Sequence, residues 1–161
     1  NAQQAVTAGL TESFLAGGNF LVNPLAFQPG TQWEYGTNTD WLGILIEQSS
    51  GDRLVDYFEK NIFDPLEMKD THFELPEDKL DRSVTMMART EEQLIVSSFG
   101  QPTAQDRHSM PFYSGGGGLY STVQDYGRVL QMLLNSGTVN DSQVLTARTV
   151  DSMFHNHIGE L

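Results

Sequence analysis

Phe27-Gln-Pro-Gly-Thr-Gln-Trp-Glu-Tyr35-Gly-Thr-Asn-Thr-Asp-Trp-Leu-Gly-Ile-Leu-Ile-Glu47 is the stretch on which the reading of this chain turns. Pro29-Gly30 marks a turn. A short extended run follows it and ends at Tyr35. A helix then starts near Thr39 or Asp40 and runs to Ser49. Its apolar set is Trp41, Leu42, Leu45 and Ile46, widened by Ile44, and Gly51 stops it. Asp40 falls in the first turn, where a carboxylate complements the helix dipole. A phenol at such a junction can face a cleft, and a neighbouring cation can lower its pKa from about 10 so that it moves a proton.

Working outward, residues 52–61 form a second helix with Leu54, Val55, Phe58 and Ile62 on one face and Pro65 at its end. The two helices pack around a Ser-Gly-Asp turn. Met68–Leu80 is irregular. Ser83–Ala88 and Gln93–Ser97 read as paired strands around an Arg89-Thr-Glu-Glu loop. Gly100–Ser114 is loop. Thr122-Val-Gln-Asp125 is an N-cap with an acidic third residue. Tyr126, Val129, Leu130, Leu133 and Leu134 then repeat at helical spacing, and Gly137 supplies the C-terminal cap. A last helix starts near Thr146 and carries Val150, Met153 and Phe154. Before the opening stretch, Ala5–Leu15 reads as a helix closed by Gly17-Gly18.

Composition narrows the function classes. The 161 residues hold 39% apolar side chains, including nine Phe and two Trp. A domain of this size buries about 70% of the surface its unfolded chain exposes, so a real core is expected. Net charge is −12, from 9 basic and 21 acidic residues, with no basic run. That argues against nucleic acid and anionic membrane as partners. There is no Cys, which excludes disulfides, thiolate metal sites and thiol catalysis. No apolar run reaches the roughly 20 residues of a membrane helix. The chain reads as soluble, and its compartment is left open. Asn1-Ala-Gln-Gln lacks a start Met and a signal pattern, so the chain is expected to begin inside a longer frame or after processing.

Four stretches in order carry a family resemblance. They are the opening stretch with Tyr35, Asn61-Ile-Phe-Asp-Pro-Leu-Glu-Met-Lys-Asp-Thr-His-Phe73, Ser114-Gly-Gly-Gly-Gly-Leu-Tyr-Ser-Thr-Val-Gln-Asp125, and Met153-Phe-His-Asn-His-Ile-Gly159. Together they resemble the serine β-lactamase-like hydrolases: class C β-lactamases, penicillin-binding proteins and related esterases. The resemblance covers roughly residues 24–159. It implies that Tyr35 is the catalytic tyrosine and that Thr37 and Asn38 line the substrate cleft. The bland reading of Thr37 and Asn38 is that they are helix caps.

In such enzymes a Ser-x-x-Lys helix turn supplies the nucleophile. This chain has none: the residues three before Lys60, Lys69 and Lys79 are Tyr57, Leu66 and Pro76. A terminal Lys-Thr-Gly equivalent is also absent. Thr37 stands where class C β-lactamases have Asn, which an esterase-like site tolerates better.

The resemblance therefore implies a mostly α fold with a small β-hairpin (α+β), the helical lobe without its flanking α/β sheet domain. The chain reads as one domain over 1–161, a fragment of a larger hydrolase. Its parts are 1–30 (N-terminal helix and loop), 31–80 (tyrosine motif and helix pair), 81–121 (hairpin and Gly-rich loop) and 122–161 (C-terminal helices). The implied activity of the parent is acyl-enzyme hydrolysis of a carboxylic ester, an amide or a β-lactam. The implied partners are that small molecule and the remainder of the parent, with a homodimer through uncovered apolar surface as a further expectation. No metal or cofactor is implied, and the chain alone is expected to be inactive. The alternative is a non-catalytic binding module or a complementing chain that keeps the lobe's shape.

Other motifs read as structural. Gly115–Gly118 lacks the Lys-Ser/Thr of a phosphate loop and reads as a tight turn. His155 and His157, placed on a helix, diverge by about 200° and cannot share a metal ion. Asp106, His108 and Ser109 are loop polar groups, and Met86-Met87 is packing. Asn140-Asp-Ser142 fits a glycosylation sequon that matters only in a secretory setting.

Overall fold

Helices come first along the described part of the chain, and short hairpins fill the gaps between them. A computed structural model describes residue 25 and residues 27–97, 112–140 and 142–160. The expected helix at Ala5–Leu15 and the Asp106, His108 and Ser109 group lie outside these. The chain divides into two compact units: Asn1–Asn38 with His155–Leu161, and Thr39–Phe154.

In the first unit, Pro29-Gly30 makes the expected turn. The Thr31 amide and hydroxyl both donate to the Gln28 carbonyl, at 3.2 and 2.7 Å. Gly30 has φ 81°, the left-handed position that a turn with Pro before it requires. At the other end, the Asn156 carboxamide oxygen accepts from the Ile158 and Gly159 amides at 3.0 and 3.1 Å. His155 and His157 flank this turn beyond the last helix and are exposed.

Helix α1 spans Asn38–Ser50. Its buried face is not the expected apolar set. Trp41, Leu42 and Leu45 are each about half exposed, whereas Asp40 and Gly43 are buried. The reason is what packs there. A Cβ on Gly43 would lie 3.1 Å from Leu54 Cδ2 and 3.3 Å from the Gly115 Cα. The helix thus meets a glycine backbone, and only small or polar groups fit.

At its end the Glu47 carboxylate accepts from the Leu54 amide at 2.7 Å. That bond caps helix α2, Leu54–Phe58. The expected helix over 52–61 is shorter as an α-helix but continues as a π-helical turn, Glu59–Phe63. Pro65 has no amide to extend the ladder. The Asp64 and Met68 amides instead reach back five residues, to Glu59 and Phe63.

Two apolar clusters meet at Phe58. One holds Phe63, Leu66, Met68 and Met132; the other holds Leu54, Val55 and Tyr113. A run of aromatic contacts joins them: Phe63 to Phe58 at 5.8 Å, Phe58 to Phe73 at 5.6 Å, and Phe73 to Tyr113 at 5.2 Å. Ring pairs at such spacing add about 0.5–1.5 kcal/mol each beyond area burial.

A 3₁₀ helix, Glu77–Arg82, precedes the expected hairpin. The strands are shorter than the sequence suggests: β1 is Met87–Arg89 and β2 is Leu94–Val96, paired antiparallel with Ala88 opposite Ile95. Thr90 and Gln93 close the loop, with the Gln93 amide donating to Thr90 Oγ1 at 3.0 Å. Met86 and Met87 are nearly half exposed, so they are not a buried packing pair.

Helix α3, Val123–Leu134, starts where expected. Thr122 Oγ1 accepts from the Asp125 amide at 3.2 Å. Its buried face is rotated from the expected stripe. Met132 is buried, with Val129 and Leu133 against the core. Tyr126, Leu130 and Leu134 stay exposed, and Leu134 is 80% so. The apolar arc is wider than the core it meets. The helix ends in a Schellman motif: Gly137 N–H donates to Met132 at 2.9 Å and Ser136 N–H to Leu133 at 3.1 Å. The first left-handed residue is Ser136, φ 55°, not Gly137.

A second hairpin then follows that has no sequence signal. It pairs β3, Thr138–Val139, with β4, Ser142–Gln143. With two residues per strand it is too short to show alternation. Helix α4, Ala147–Met153, is capped by Thr146, whose hydroxyl accepts from the Thr149 amide at 3.1 Å. Among the described residues, no helix is long and apolar enough to cross a membrane.

The Gly-rich turn gives a stability test. A Cβ on Gly115 would run into the Thr39 carbonyl, while one on Gly117 meets nothing within 4 Å. Gly115→Ala is expected to cost about 3 kcal/mol, the upper range for overpacking. Gly117→Ala should stay within about 0.5 kcal/mol of wild type. Denaturant unfolding of both variants checks the contrast.

Candidate active site

Tyr35 lies in backbone without regular secondary structure and is 85% exposed. Gly36 and Thr37 bend the chain, and Asn38 opens α1. Thr37 is half-buried and Asn38 exposed. The exposed ring thus stands three residues before α1 begins. At that exposure a second group can reach the phenol oxygen.

Three of the four quoted stretches are tied together within the second unit by two buried carboxylates. Asp40, 5% exposed, accepts from the Ser114 hydroxyl at 2.5 Å and the Gly116 amide at 3.2 Å. Its role is therefore wider than the helix dipole. It fastens the Gly-rich turn to the first turn of α1, which is why Gly115–Gly118 is a turn and not a phosphate cradle. Asp125, 4% exposed, accepts from the Asp70 amide at 2.8 Å and the Thr71 hydroxyl at 3.0 Å. Thr71 spends its proton there, so Ser121, 2.8 Å away, donates to Thr71. His72 and Tyr120 exchange backbone hydrogen bonds of 2.9 and 2.8 Å. Arg128 adds a bond to the Glu67 carbonyl.

A charged cluster beside this seam was not foreseen. Arg82 grips Asp70 with two bonds, 2.8 and 2.9 Å. Lys79 Nζ lies 2.9 Å from Asp70 Oδ1, 2.6 Å from the Lys69 carbonyl and 3.0 Å from His72 Nε2. An ammonium has three donors and no acceptor. Nε2 must therefore accept, and His72 is neutral with its proton on Nδ1. The only trace in sequence is Lys79 and Arg82 three apart.

Arg82 first, and then Lys79, holds the Asp70 carboxyl well below the usual carboxylate range. Asp70 in turn raises Arg82. Burial, followed by the Lys79 charge, lowers His72 from its ordinary value; Asp70, the Lys69 carbonyl and Glu59 pull the other way. Among the described residues no group of His, Asp and Glu could hold a metal ion.

A family model described as Beta-lactamase matches residues 19–156. The chain belongs to the beta-lactamase family. It is 35% identical over 141 residues to lovastatin esterase of Penicillium rubens, a match that covers 84% of this chain and 33% of that one. It is 34% identical over 140 residues to monacolin J acid methylbutanoyltransferase of Aspergillus terreus, covering 83% and 32%. Unliganded simvastatin synthase from Aspergillus terreus superposes with a TM-score of 0.69 at 30% identity, over 95% of this chain and 35% of that chain. The chain thus spans about a third of the length of these beta-lactamase-family relatives. Two of them are named as an esterase and an acyltransferase; the described part of this chain is helix-rich with two small antiparallel sheets, and simvastatin synthase shares its fold over the matched region.

Within this family member the His72 site sets a pH test. His72 is harder to protonate folded than unfolded, so its contribution to stability is complete above about pH 6.5. It is lost as pH falls from there through the lowered folded value. Asp70 runs on a different window: its contribution is complete above about pH 4 and is lost only far below that. His72→Gln is therefore expected to flatten the fall in Tm between pH 7 and pH 5. Thermal melts of both proteins across that range check it; parallel profiles would remove His72 from the pH response.

Proposed function

We propose that this chain is the tyrosine-bearing lobe of a serine hydrolase. The parent acts on carboxylic esters or amides through an acyl-enzyme, and its Ser-x-x-Lys nucleophile lies outside this chain. The exposed Tyr35 ring at the entry to α1 carries the reading. In the first step the serine oxygen bonds to the substrate carbonyl carbon, and its proton passes to the Tyr35 phenolate. That proton then goes to the leaving alcohol or amine as its bond to carbon breaks. In the second step water repeats the sequence in reverse and frees the acid. An alcohol in place of water would make the same acyl-enzyme a transferase.

A lysine ammonium beside the phenol would keep it ionised, which is why a tyrosine can replace histidine as the base. Thr37 and Asn38 follow Tyr35 closely enough to meet the substrate. The esterase and methylbutanoyltransferase relatives favour ester substrates over β-lactams, in line with Thr37 at the motif's third position.

Two measurements test this. In the parent, Tyr35→Phe is expected to lower kcat by about 10²–10⁴, the range for a lost proton-transfer group; an unchanged rate would take Tyr35 out of the mechanism. The isolated chain, treated with a serine-directed phosphonate, should show no adduct by mass spectrometry. Stoichiometric labelling of one Ser would place the nucleophile here instead.

A further inference from the structure

We propose that the outer edge of β2 pairs antiparallel with the same edge of a second copy of this chain. The β1–β2 hairpin is a sheet of two strands, and among the described residues no third strand pairs with it. The bonds that close it fix which backbone groups are left over. The Ser97 amide donates to the Met86 carbonyl at 2.8 Å, and the Thr90 amide to the Gln93 carbonyl at 2.9 Å. Bonded and non-bonded pairs alternate along an antiparallel ladder. Ala88 and Ile95 are therefore a bonded pair, whereas Met87–Val96 and Arg89–Leu94 are not. The N–H and C=O groups of Leu94 and Val96 thus point away from β1. Such an edge is a template for another strand.

Nothing on this edge blunts it. Proteins protect open edges with charged side chains or Pro. β1 follows that rule, because Arg89 lies on its own outer edge. β2 does not: no charged residue stands from Gln93 to Ser97. Leu94, Ile95 and Val96 are 54, 41 and 61% exposed, and Met87, opposite Val96, is nearly half exposed.

Register makes a second copy the partner. A two-fold axis at Ile95 sets Leu94 of each copy opposite Val96 of the other. Both residues face outward, so both pairs are bonded pairs, and four main-chain hydrogen bonds close. Opposite residues share a face of the sheet, so Met87, Leu94 and Val96 of the two copies form one apolar strip. Charge allows this register. A chain of net charge −12 repels its copy, and the nearest carboxylates on β2's side of the hairpin are Glu91 and Glu92. With the axis at Ile95, Glu92 of each copy lies six residues along from its mate, roughly 20 Å at strand spacing. Salt screens charges at about 8 Å. A slip toward the loop would instead press Glu92 against Val96 of the other copy. The inference does not require Tyr35 to be catalytic.

Two three-residue strands cover less than the roughly 1,200 Å² at which standard interfaces begin, so association is weak and the test runs to millimolar concentration. Sedimentation equilibrium of the full chain is expected to show monomer and dimer, and amide NMR shifts on dilution at Leu94, Ile95 and Val96. Val96→Pro deletes an outward N–H and leaves the hairpin's own bonds in place, since Pro is tolerated on an edge strand. It should weaken the dimer at least tenfold. Val96→Lys keeps every N–H, adds an edge charge and should weaken it several-fold. Leu134→Lys alters the exposed arc of α3 and should leave it unchanged. A chain that stays monomeric at 1 mM would overturn the proposal. So would a dimer that both Val96 variants leave intact, or one that Leu134→Lys abolishes.

Discussion

Two buried carboxylates hold this protein's second unit together. Asp40 and Asp125 take hold of the segment between Ser114 and Asp125 at its two ends. Each accepts from main-chain and hydroxyl donors far away in sequence, and Asp125 also meets the Arg128 guanidinium at 3.4 Å. Hydrogen bonds to an ionised acceptor are worth about 1.5–3 kcal/mol, and a donor stranded by its loss costs a comparable amount. The glycines in the segment follow from this. A chain drawn that close to α1 has no space for a side chain at Gly115 and little at Gly116.

That seam explains which sequence readings held and which shifted. The Thr122 cap, the face of Leu54, Val55, Phe58 and Ile62, the Pro29-Gly30 turn and the hairpin near Ala88 were all legible, because each depends on residues close together in the chain. The buried faces of α1 and α3 were not. Both helices carry more apolar side chains than the core can cover. Which arc is buried is decided by Asp40, Gly43 and Asp125, residues that a hydrophobic count ignores. Asp125 looked like half of a local capping arrangement, yet its carboxylate reaches Asp70 and Thr71. The β3–β4 hairpin was hidden because two-residue strands have no period to detect.

The site divides in the same way. Tyr35 stands out in sequence by its place before a helix, and its exposure is compatible with the role proposed for it. Asp70, His72, Lys79 and Arg82 were not, since the irregular stretch between Met68 and Leu80 gave no pattern that would bring them together. The uncovered arcs bear on the family comparison. Leu42 and Leu45 on one helix, and Val123, Tyr126 and Leu134 on another, are large apolar side chains facing water. The relatives are about two and a half times as long as this chain. Patches of this kind mark surfaces that other protein covers, and the additional length in the relatives is a natural source of cover.

The arrangement around Lys79 also bears on covalent chemistry at amines. An amine attacks an acylating reagent through its nitrogen lone pair, which an ammonium must first lose a proton to expose. Lys60 reaches into solvent with one long contact to Asp52. Lys79 has every proton engaged by a carbonyl, a carboxylate and an imidazole. Lys60 and Lys69, both exposed, can therefore be tagged while the fold is intact. Lys79 becomes a reporter of opening: a label found there has caught the 3₁₀ turn away from its seat.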